Sequence, residues 1–179
     1  MAIDRVFVLN AGRCGSVTFS RACSHVKNWT SSHESQCRKF GPSRVQYPDR
    51  HIEIDNRLTW FLGMLDRAVS DSDTLFVHLT RDRTECAMSH VRRGTMVLDS
   101  WINSIHMAGG CKYDRMSAAL DYVDTVNLNI EQYVSQKPNV MEFSMEHCGR
   151  DWTVFWGMID AKGDFESSLS EWNVKHNRS

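Results

Sequence analysis

The chain has 179 residues, of which 41% are hydrophobic and 24% charged, a composition that favours one soluble globular domain over residues 1–179. Its formal net charge of -1 provides no overall positive field, so neither nucleic acid nor an anionic membrane is expected as a partner. No apolar run approaches the roughly 20 residues of a membrane span, and the N-terminus lacks a signal-peptide pattern. The six cysteines contain no C-x-x-C pair. We therefore predict a cytoplasmic protein without a membrane span, a metal site or a disulfide framework.

A hydrophobic strand followed by a glycine-containing turn opens the chain. Residues 6–9 are β-formers, and the turn after them carries two glycines and Arg13 before a helical segment over 16–26. A turn of this kind leaves backbone N–H groups of the helix N-terminus unpaired, and glycine allows a ligand to approach them closely. Together with the helix dipole and a cationic side chain, these groups form an anion cradle. We expect a phosphate- or sulfate-type group to bind here.

The middle of the chain holds one more clear strand. Residues 28–47 are polar and rich in serine, and we predict an irregular segment there. A short extended piece over 51–54 precedes apolar residues at helical spacing between Leu58 and Val69, which predict an amphipathic helix. The near-continuous apolar run over 74–80 indicates a strand that is buried on both faces of a parallel sheet.

The second half continues the alternation of helix and strand. The periodicity predicts helices over 84–93, 98–107 and 116–135, a strand over 139–143, and short helices over 152–159 and 165–172. This alternation predicts an α/β fold with a central parallel sheet of about four or five strands and helices on both faces. Ligands of such sheets bind at the carboxyl ends of the strands, which is where the first turn lies.

A second anion-compatible turn follows the strand over 74–80. Arg81 comes directly after that strand, and Ser89 lies in the second turn of the following predicted helix. An arginine fork and a serine hydroxyl at these two places can reach one phosphate from two directions. By itself, an arginine at a strand end is more often a surface residue or an ion-pair partner, so the pattern gains its meaning beside the first turn.

The first turn resembles the phosphosulfate loop of the sulfotransferases that use 3′-phosphoadenosine 5′-phosphosulfate (PAPS). In that family a strand–loop–helix of the form [K/R]-x-G-[T/S]-[T/S] holds the 5′-phosphosulfate. Here Arg13-Cys14-Gly15-Ser16-Val17 fits this form, except that Val17 replaces the second hydroxyl. Thr18 could supply that hydroxyl instead.

The second turn is similar to the R-x7-S motif with which the same family holds the 3′-phosphate, since Arg81 and Ser89 have that spacing. The small size of the chain resembles compact bacterial or phage-type members. The resemblance implies a three-layer P-loop-like fold, PAPS as the sulfuryl donor and no metal. The donor-binding residues that it implies are Arg13, Cys14, Gly15, Ser16, Val17, Thr18, Arg81 and Ser89.

The resemblance also implies an enzyme that transfers a sulfuryl group to an acceptor hydroxyl or amine, with Arg13 stabilising the transferring group. Family members use a glutamate or a histidine as general base, and we predict Glu34 first and His33 second. The acceptor is expected to be a small or carbohydrate-like molecule, and the oligomeric state stays open. No R-K-G triplet, which in many members closes over the nucleotide, occurs near the C-terminus; Ala161-Lys162-Gly163 or Lys175-His176-Asn177 could substitute.

Three other interpretations of the first turn are weaker. A Walker-type kinase or NTPase needs a lysine after the second glycine, and none is present. A cysteine phosphatase needs five residues between its cysteine and arginine, whereas Cys14 and Arg21 are separated by residues 15–20. A non-catalytic module that binds an anion or a nucleotide is the remaining alternative.

Several single residues carry separate expectations. Asp55 or Asn56 is expected to cap the helix that follows, with a role in substrate binding as the alternative. His78 is expected in the core. His90 is expected at the surface, with a position facing the nucleotide as the alternative, while Trp60 could be either core or the wall of an acceptor pocket. Cys14, at a helix N-terminus, is expected to have a lowered pKa without acting as a nucleophile.

Overall fold

The computed structural model describes residues 3–174. Within them the strands are β1 (Arg5–Leu9), β2 (Thr30–His33), β3 (His51–Ile54), β4 (Thr74–Thr80) and β5 (Val140–Ser144). The α-helices are α1 (Ser16–Cys23), α2 (Leu62–Ala68), α3 (Arg83–Arg93), α4 (Met96–Ser100), α5 (Arg115–Val134), α6 (Cys148–Met158) and α7 (Phe165–Ser170). Short 3₁₀ turns cover Gly41–Val45, Asn56–Trp60, Met145–His147 and Glu171–Asn173, and a π-helical turn covers Trp101–Ile105.

The five strands form one sheet in the order β2-β3-β1-β4-β5, and all neighbouring pairs are parallel. β1 is central, and Val8 is paired with Ile54 on one side and Val77 on the other. Because β1 has neighbours on both edges and helices on both faces, its apolar side chains are fully buried. The α/β fold with a parallel sheet of five strands is therefore confirmed.

Aromatic contacts show which helices cover each face of the sheet. Phe76 of β4 packs edge-on against Tyr133 of α5, with ring centroids 5.4 Å apart. Leu79, whose side chain points to the opposite face, is paired with Phe143, and that ring lies 5.1 Å from Phe19 of α1. Thus α5 covers one face and α1 the other, which is the three-layer arrangement expected.

The expectation of an irregular segment over 28–47 is wrong for β2. Thr30–His33 forms an edge strand in which His33 is paired with Ile54 of β3. This strand contains Thr, Ser, Ser and His, all of which keep some solvent exposure, so it has no apolar alternation by which a sequence pattern could reveal it. Its position matters because it delivers His33 to the carboxyl edge of the sheet.

Two predicted helices are divided in the structure. The helix expected between Leu58 and Val69 is a 3₁₀ turn over Asn56–Trp60 followed by α2, and Asp55 does cap the first turn by accepting a 2.7 Å bond from the Arg57 N–H. The helix expected over 98–107 is α4 followed by a π-helical turn. In both places the apolar residues keep nearly the same spacing although the helix type changes. Periodicity alone therefore cannot show where one helical segment ends and the next begins.

Candidate functional site

The loop between β1 and α1 has the backbone that an anion cradle requires. Three of its residues lie in the left-handed region, namely Gly12 (φ 79°), Arg13 (φ 59°) and Gly15 (φ 91°). Asn10 stabilises the turn, since its Oδ1 accepts a 2.9 Å bond from the Gly12 N–H. No side chain caps α1, so the N–H groups of its first turn remain available to a ligand.

Gly15 is the tightest point of the loop. A Cβ atom built on it would lie 2.5 Å from Sδ of Met145, the first residue after β5. A larger residue would strain the left-handed backbone and would require the Met145 side chain or the loop to move. The backbone conformation and the contact with Met145 therefore both favour glycine at this position of the motif.

The two sequence motifs meet directly. Arg13 Nε donates a 3.0 Å hydrogen bond to Oγ of Ser89, although the residues are 76 positions apart. Arg81 Nη1 donates a 3.3 Å bond to the backbone carbonyl of Arg13, so the second turn also holds the first one in place. The carboxyl ends of β1 and β4 thus bring both anion-binding patterns into one site, as expected for neighbouring parallel strands.

Positive charge is concentrated at this junction. Burial lowers the pKa of Arg13, and the neighbouring charges of Arg93 and Arg81 lower it further. Arg81 is paired with Glu85 at 3.3 Å, whereas Arg93 forms no ion pair with any residue of 3–174. Clustered arginines that repel each other when unliganded are stabilised by an anion, so the site favours a multiply charged ligand.

A cavity of about 1250 Å³ opens over the junction, larger than the usual range for a drug-sized ligand, roughly 300–1,000 Å³. It is lined by loop and motif residues, by the end of β2 and by the last described part of the chain. These residues are Gly12, Arg13, Gly15, Ser16, Val17, Thr18, His33, Glu34, Asn56, Arg57, Arg81, Ser89, His90, Arg92, Arg93, Thr95, Met96, Val97, Met145, Glu146, Trp172, Asn173 and Val174. The cavity therefore has room for a nucleotide together with a second molecule.

Both candidate bases line this cavity. His33, at the end of β2, has Nε2 3.1 Å from Oγ of Ser16, the first residue of α1. Residues 10–18, which include this first turn of α1, are called the anion loop below. Glu34 follows it with a left-handed φ of 55°, and its carboxylate forms an ion pair with Arg57. The imidazole thus reaches the loop itself, whereas the carboxylate is engaged by a guanidinium.

A buried carboxylate supports the turn that carries both candidates. Glu53 of β3 is fully buried and accepts bonds from the backbone N–H (2.7 Å) and the hydroxyl (2.6 Å) of Ser35. His51 contacts the same carboxylate at 3.1 Å. Because the left-handed turn at Glu34 is anchored from below, the side chains of His33 and Glu34 are held at the cavity wall.

Two expectations about single residues are wrong. His90 is buried rather than at the surface, and its ring contacts the Ala11 carbonyl (3.1 Å) and the Thr95 hydroxyl (2.9 Å). The pKa of Cys14 is raised rather than lowered, because the thiol is hydrogen-bonded to Cys86 and fully buried. His78, in contrast, is the buried core histidine expected, with Nε2 3.2 Å from Oδ1 of Asn127.

Among the cavity residues that the sequence analysis did not name are Arg93 and Met145. Arg93 lies one helical turn after Ser89 on the same face of α3, a spacing that was available in the sequence. Met145 directly follows β5, so its place at a strand end was available as well. Asn56, considered above as a helix cap or a substrate-binding residue, also lines the cavity. Oδ1 of Asn56 is buried and has no hydrogen-bond partner within the described part of the chain.

Other candidates lie away from the cavity or outside the described residues. Trp60 is partly exposed beside Trp101 and does not line the cavity. The Ala161-Lys162-Gly163 stretch packs near the C-terminal end of α1, where Gly163 is bridged to Val26. Lys175-His176-Asn177 lies outside the described residues.

Residues 3–174 contain no group of three or more His, Cys, Asp or Glu side chains that could hold a metal ion. None of the helices in this range combines the length and the apolar character needed to cross a membrane.

Comparison with known proteins places the fold. No protein-family model matches the chain, and no curated protein matches it in sequence. Among solved structures, it is similar to mouse sulfotransferase SULT7A1 complexed with PAP, with a TM-score of 0.61 and 11% sequence identity. The match covers 94% of this chain and 64% of the mouse chain. The chain therefore has a sulfotransferase fold and matches less than two-thirds of the mouse protein's length.

Proposed function

We propose that this chain transfers a sulfuryl group from PAPS to an acceptor hydroxyl or amine by in-line displacement. The observation that carries the proposal is the contact between the two motifs, in which Arg13 bonds to Ser89 and Arg81 bonds to the Arg13 carbonyl. The PAP complex of the similar mouse sulfotransferase supports the same class of nucleotide.

The donor is divided between the two turns in this proposal. Arg13 and the backbone N–H groups from Gly15 to Thr18 hold the 5′-phosphosulfate, with a further bond from the Ser16 hydroxyl. Cys14 and Val17 contribute through the backbone, since the Cys14 side chain is buried. Arg81 and Ser89 hold the 3′-phosphate, and their neighbour Arg93 supplies additional positive charge in the same cavity.

Sulfuryl transfer resembles phosphoryl transfer in needing position and charge stabilisation more than covalent chemistry. Arg13 and the amides of the first turn of α1 stabilise the negative charge that develops on the leaving and transferring oxygens. Arg81 bonds to the Arg13 carbonyl and Met145 packs against Gly15, so these donors are held in their orientation before the ligand binds.

The base is assigned by proximity to the loop. His33 contacts Ser16, the residue that would touch the transferring group, whereas the Glu34 carboxylate is paired with Arg57. We therefore place His33 first as general base and Glu34 second, which reverses the order expected from the sequence. The unpartnered Oδ1 of Asn56 can accept a bond from an acceptor hydroxyl, which suits a small or carbohydrate-like molecule.

Calorimetric titration of the purified protein with 3′-phosphoadenosine 5′-phosphate tests the assignment. Micromolar binding of this bisphosphate without metal, together with weak binding of AMP, is expected. Binding of magnesium-ATP in preference to the bisphosphate would instead support the assignment of the loop to a kinase or NTPase. Absence of binding of all three nucleotides would support the assignment of the chain as a non-catalytic module.

Replacement of Arg81 with alanine is expected to weaken binding of the bisphosphate by about 10–100-fold, because hydrogen bonds to a charged group contribute roughly 1.5–3 kcal/mol each. AMP lacks the 3′-phosphate, so its affinity should fall by a clearly smaller factor, which reflects only the lost bond from Arg81 to the Arg13 carbonyl. The matched control is Arg83→Ala, which removes an exposed arginine two residues away that is paired with Asp124. Equal losses for both nucleotides would contradict the assignment of Arg81 to the 3′-phosphate.

A further inference from the structure

Two cysteines meet directly beneath the anion loop. Sγ of Cys14 lies 3.6 Å from Sγ of Cys86, and both side chains are buried. Both sulfurs also lie within hydrogen-bond distance of the Gly12 carbonyl oxygen, at 3.1 and 3.2 Å. Cys14 belongs to the loop, and Cys86 lies in the first turn of α3 between Arg81 and Ser89. The pair therefore joins the two halves of the proposed donor site from below.

The two thiols are chemically different from each other. The pKa of Cys86 is lowered by the hydrogen bond from Cys14 and by His90, although burial opposes this, while the pKa of Cys14 is raised. Burial alone raises the pKa of Cys23, which has no such neighbour. Cys86 is thus the member of the pair that ionises first, and the thiolate is the reactive form of cysteine.

We propose that Cys14 and Cys86 are a modification site at which a hydroperoxide produces a reversible disulfide that locks the anion loop onto α3. A disulfide has an S–S length of about 2.05 Å, so the sulfurs must approach by roughly 1.5 Å. Rotation of the two side chains supplies part of this approach, and the remainder has to draw Cys14 and its neighbours in the loop toward α3.

The reaction balances with the hydroperoxide as the only other reactant. The Cys86 thiolate attacks the terminal peroxide oxygen, the O–O bond breaks, and a sulfenic acid and an alcohol form once the leaving oxygen takes a proton. Sγ of Cys14 then attacks the sulfenic sulfur, the S–O bond breaks and water leaves with the thiol proton. Two electrons pass from the thiols to the peroxide, and an added dithiol reverses the oxidation.

The bond would change the donor site immediately above it. The Gly12 carbonyl loses any S–H donor from the pair, and Arg13, which is next to Cys14, is pulled relative to Ser89. Misplacement of binding groups by about 1 Å can reduce activity by about 10²-fold. This consequence rests on the proposed function, whereas formation of the bond itself does not.

The bond is tested by treating the protein with hydrogen peroxide and mapping its peptides without reduction. A variant with Cys37→Ser, Cys111→Ser and Cys148→Ser removes the exposed and half-exposed thiols that would otherwise react. A Cys14–Cys86 peptide that disappears on addition of dithiothreitol is expected in the wild type and in this variant. Cys86→Ser in the same background should yield no cross-linked peptide, and each protein is compared with its own reduced form.

Two further readouts test the locking of the loop. Amide hydrogen exchange over residues 12–18 should slow at least about threefold in the oxidised protein, because opening of the loop becomes rarer. Affinity for 3′-phosphoadenosine 5′-phosphate should fall by at least tenfold, about 1.4 kcal/mol, and return on reduction. Lack of the cross-linked peptide, or a cross-link that leaves exchange unchanged, would overturn the proposal. Failure of the reduced protein to bind nucleotide would instead contradict the proposed function alone.

Discussion

Replacement of Gly15 with alanine is expected to reduce nucleotide affinity by at least about tenfold and to lower turnover by a similar factor. The new Cβ would lie 2.5 Å from Met145 Sδ, a separation that real Cβ contacts do not show. The residue would also have to keep a left-handed φ of 91°, which costs an L-amino acid about 1–2 kcal/mol. Either the Met145 side chain or the loop must therefore move, and a displaced loop would no longer direct its N–H groups at the anion.

The steric and backbone contributions of Gly15 can be separated. Gly41 also has a positive φ (63°), but a Cβ built there meets nothing within 4 Å. Gly41→Ala should therefore lower thermal stability slightly without changing nucleotide affinity. The double variant Gly15→Ala/Met145→Ala, which removes the clash but keeps the strain, should recover part of the binding by calorimetry. Full affinity in Gly15→Ala alone would show that the loop is not the nucleotide site.

Replacement of His33 with glutamine is expected to lower kcat by about 10²–10⁴-fold, the usual contribution of a general base. Affinity for the bisphosphate should change by less than about threefold, because glutamine can still bond to the Ser16 hydroxyl and no charge contacts the nucleotide. The measurement is turnover of labelled PAPS with an identified acceptor, beside calorimetry on the same protein. A fall in kcat without a fall in affinity separates a base from a residue that only shapes the loop.

Glu34→Gln is the matched variant one residue along the chain. It removes the charge opposite Arg57 but keeps the left-handed turn at residue 34 and its anchor on Glu53, so nucleotide affinity should be retained and kcat should fall less than tenfold. A larger loss of kcat in Glu34→Gln than in His33→Gln would return the role of base to the carboxylate. Full turnover in both variants would move the base to another residue of the cavity.

Much of the fold was predictable because the buried strands are visible in the sequence as apolar runs. β1 and β4 are continuous apolar runs, since each has a neighbour on both edges and a helix layer on both faces. The motifs that follow them were found from residue type and spacing. β2 was missed because an edge strand of four partly exposed polar residues carries no apolar signal. Since that strand places His33 at the cavity, the sequence offered no structural reason to prefer His33 over Glu34 as the base.

By itself, the sequence determined the α/β class and the two turns whose residues match an anion-binding pattern, together with their position at the ends of strands. Each of these depends on neighbouring residues and on burial. Only the tertiary structure decided the bond between Arg13 and Ser89, the contact of His33 with Ser16 and the pairing of Cys14 with Cys86. These pairs join residues 17 to 76 positions apart. Their distances depend on which strands are neighbours and in what register, and residue type and spacing along one chain do not contain that information.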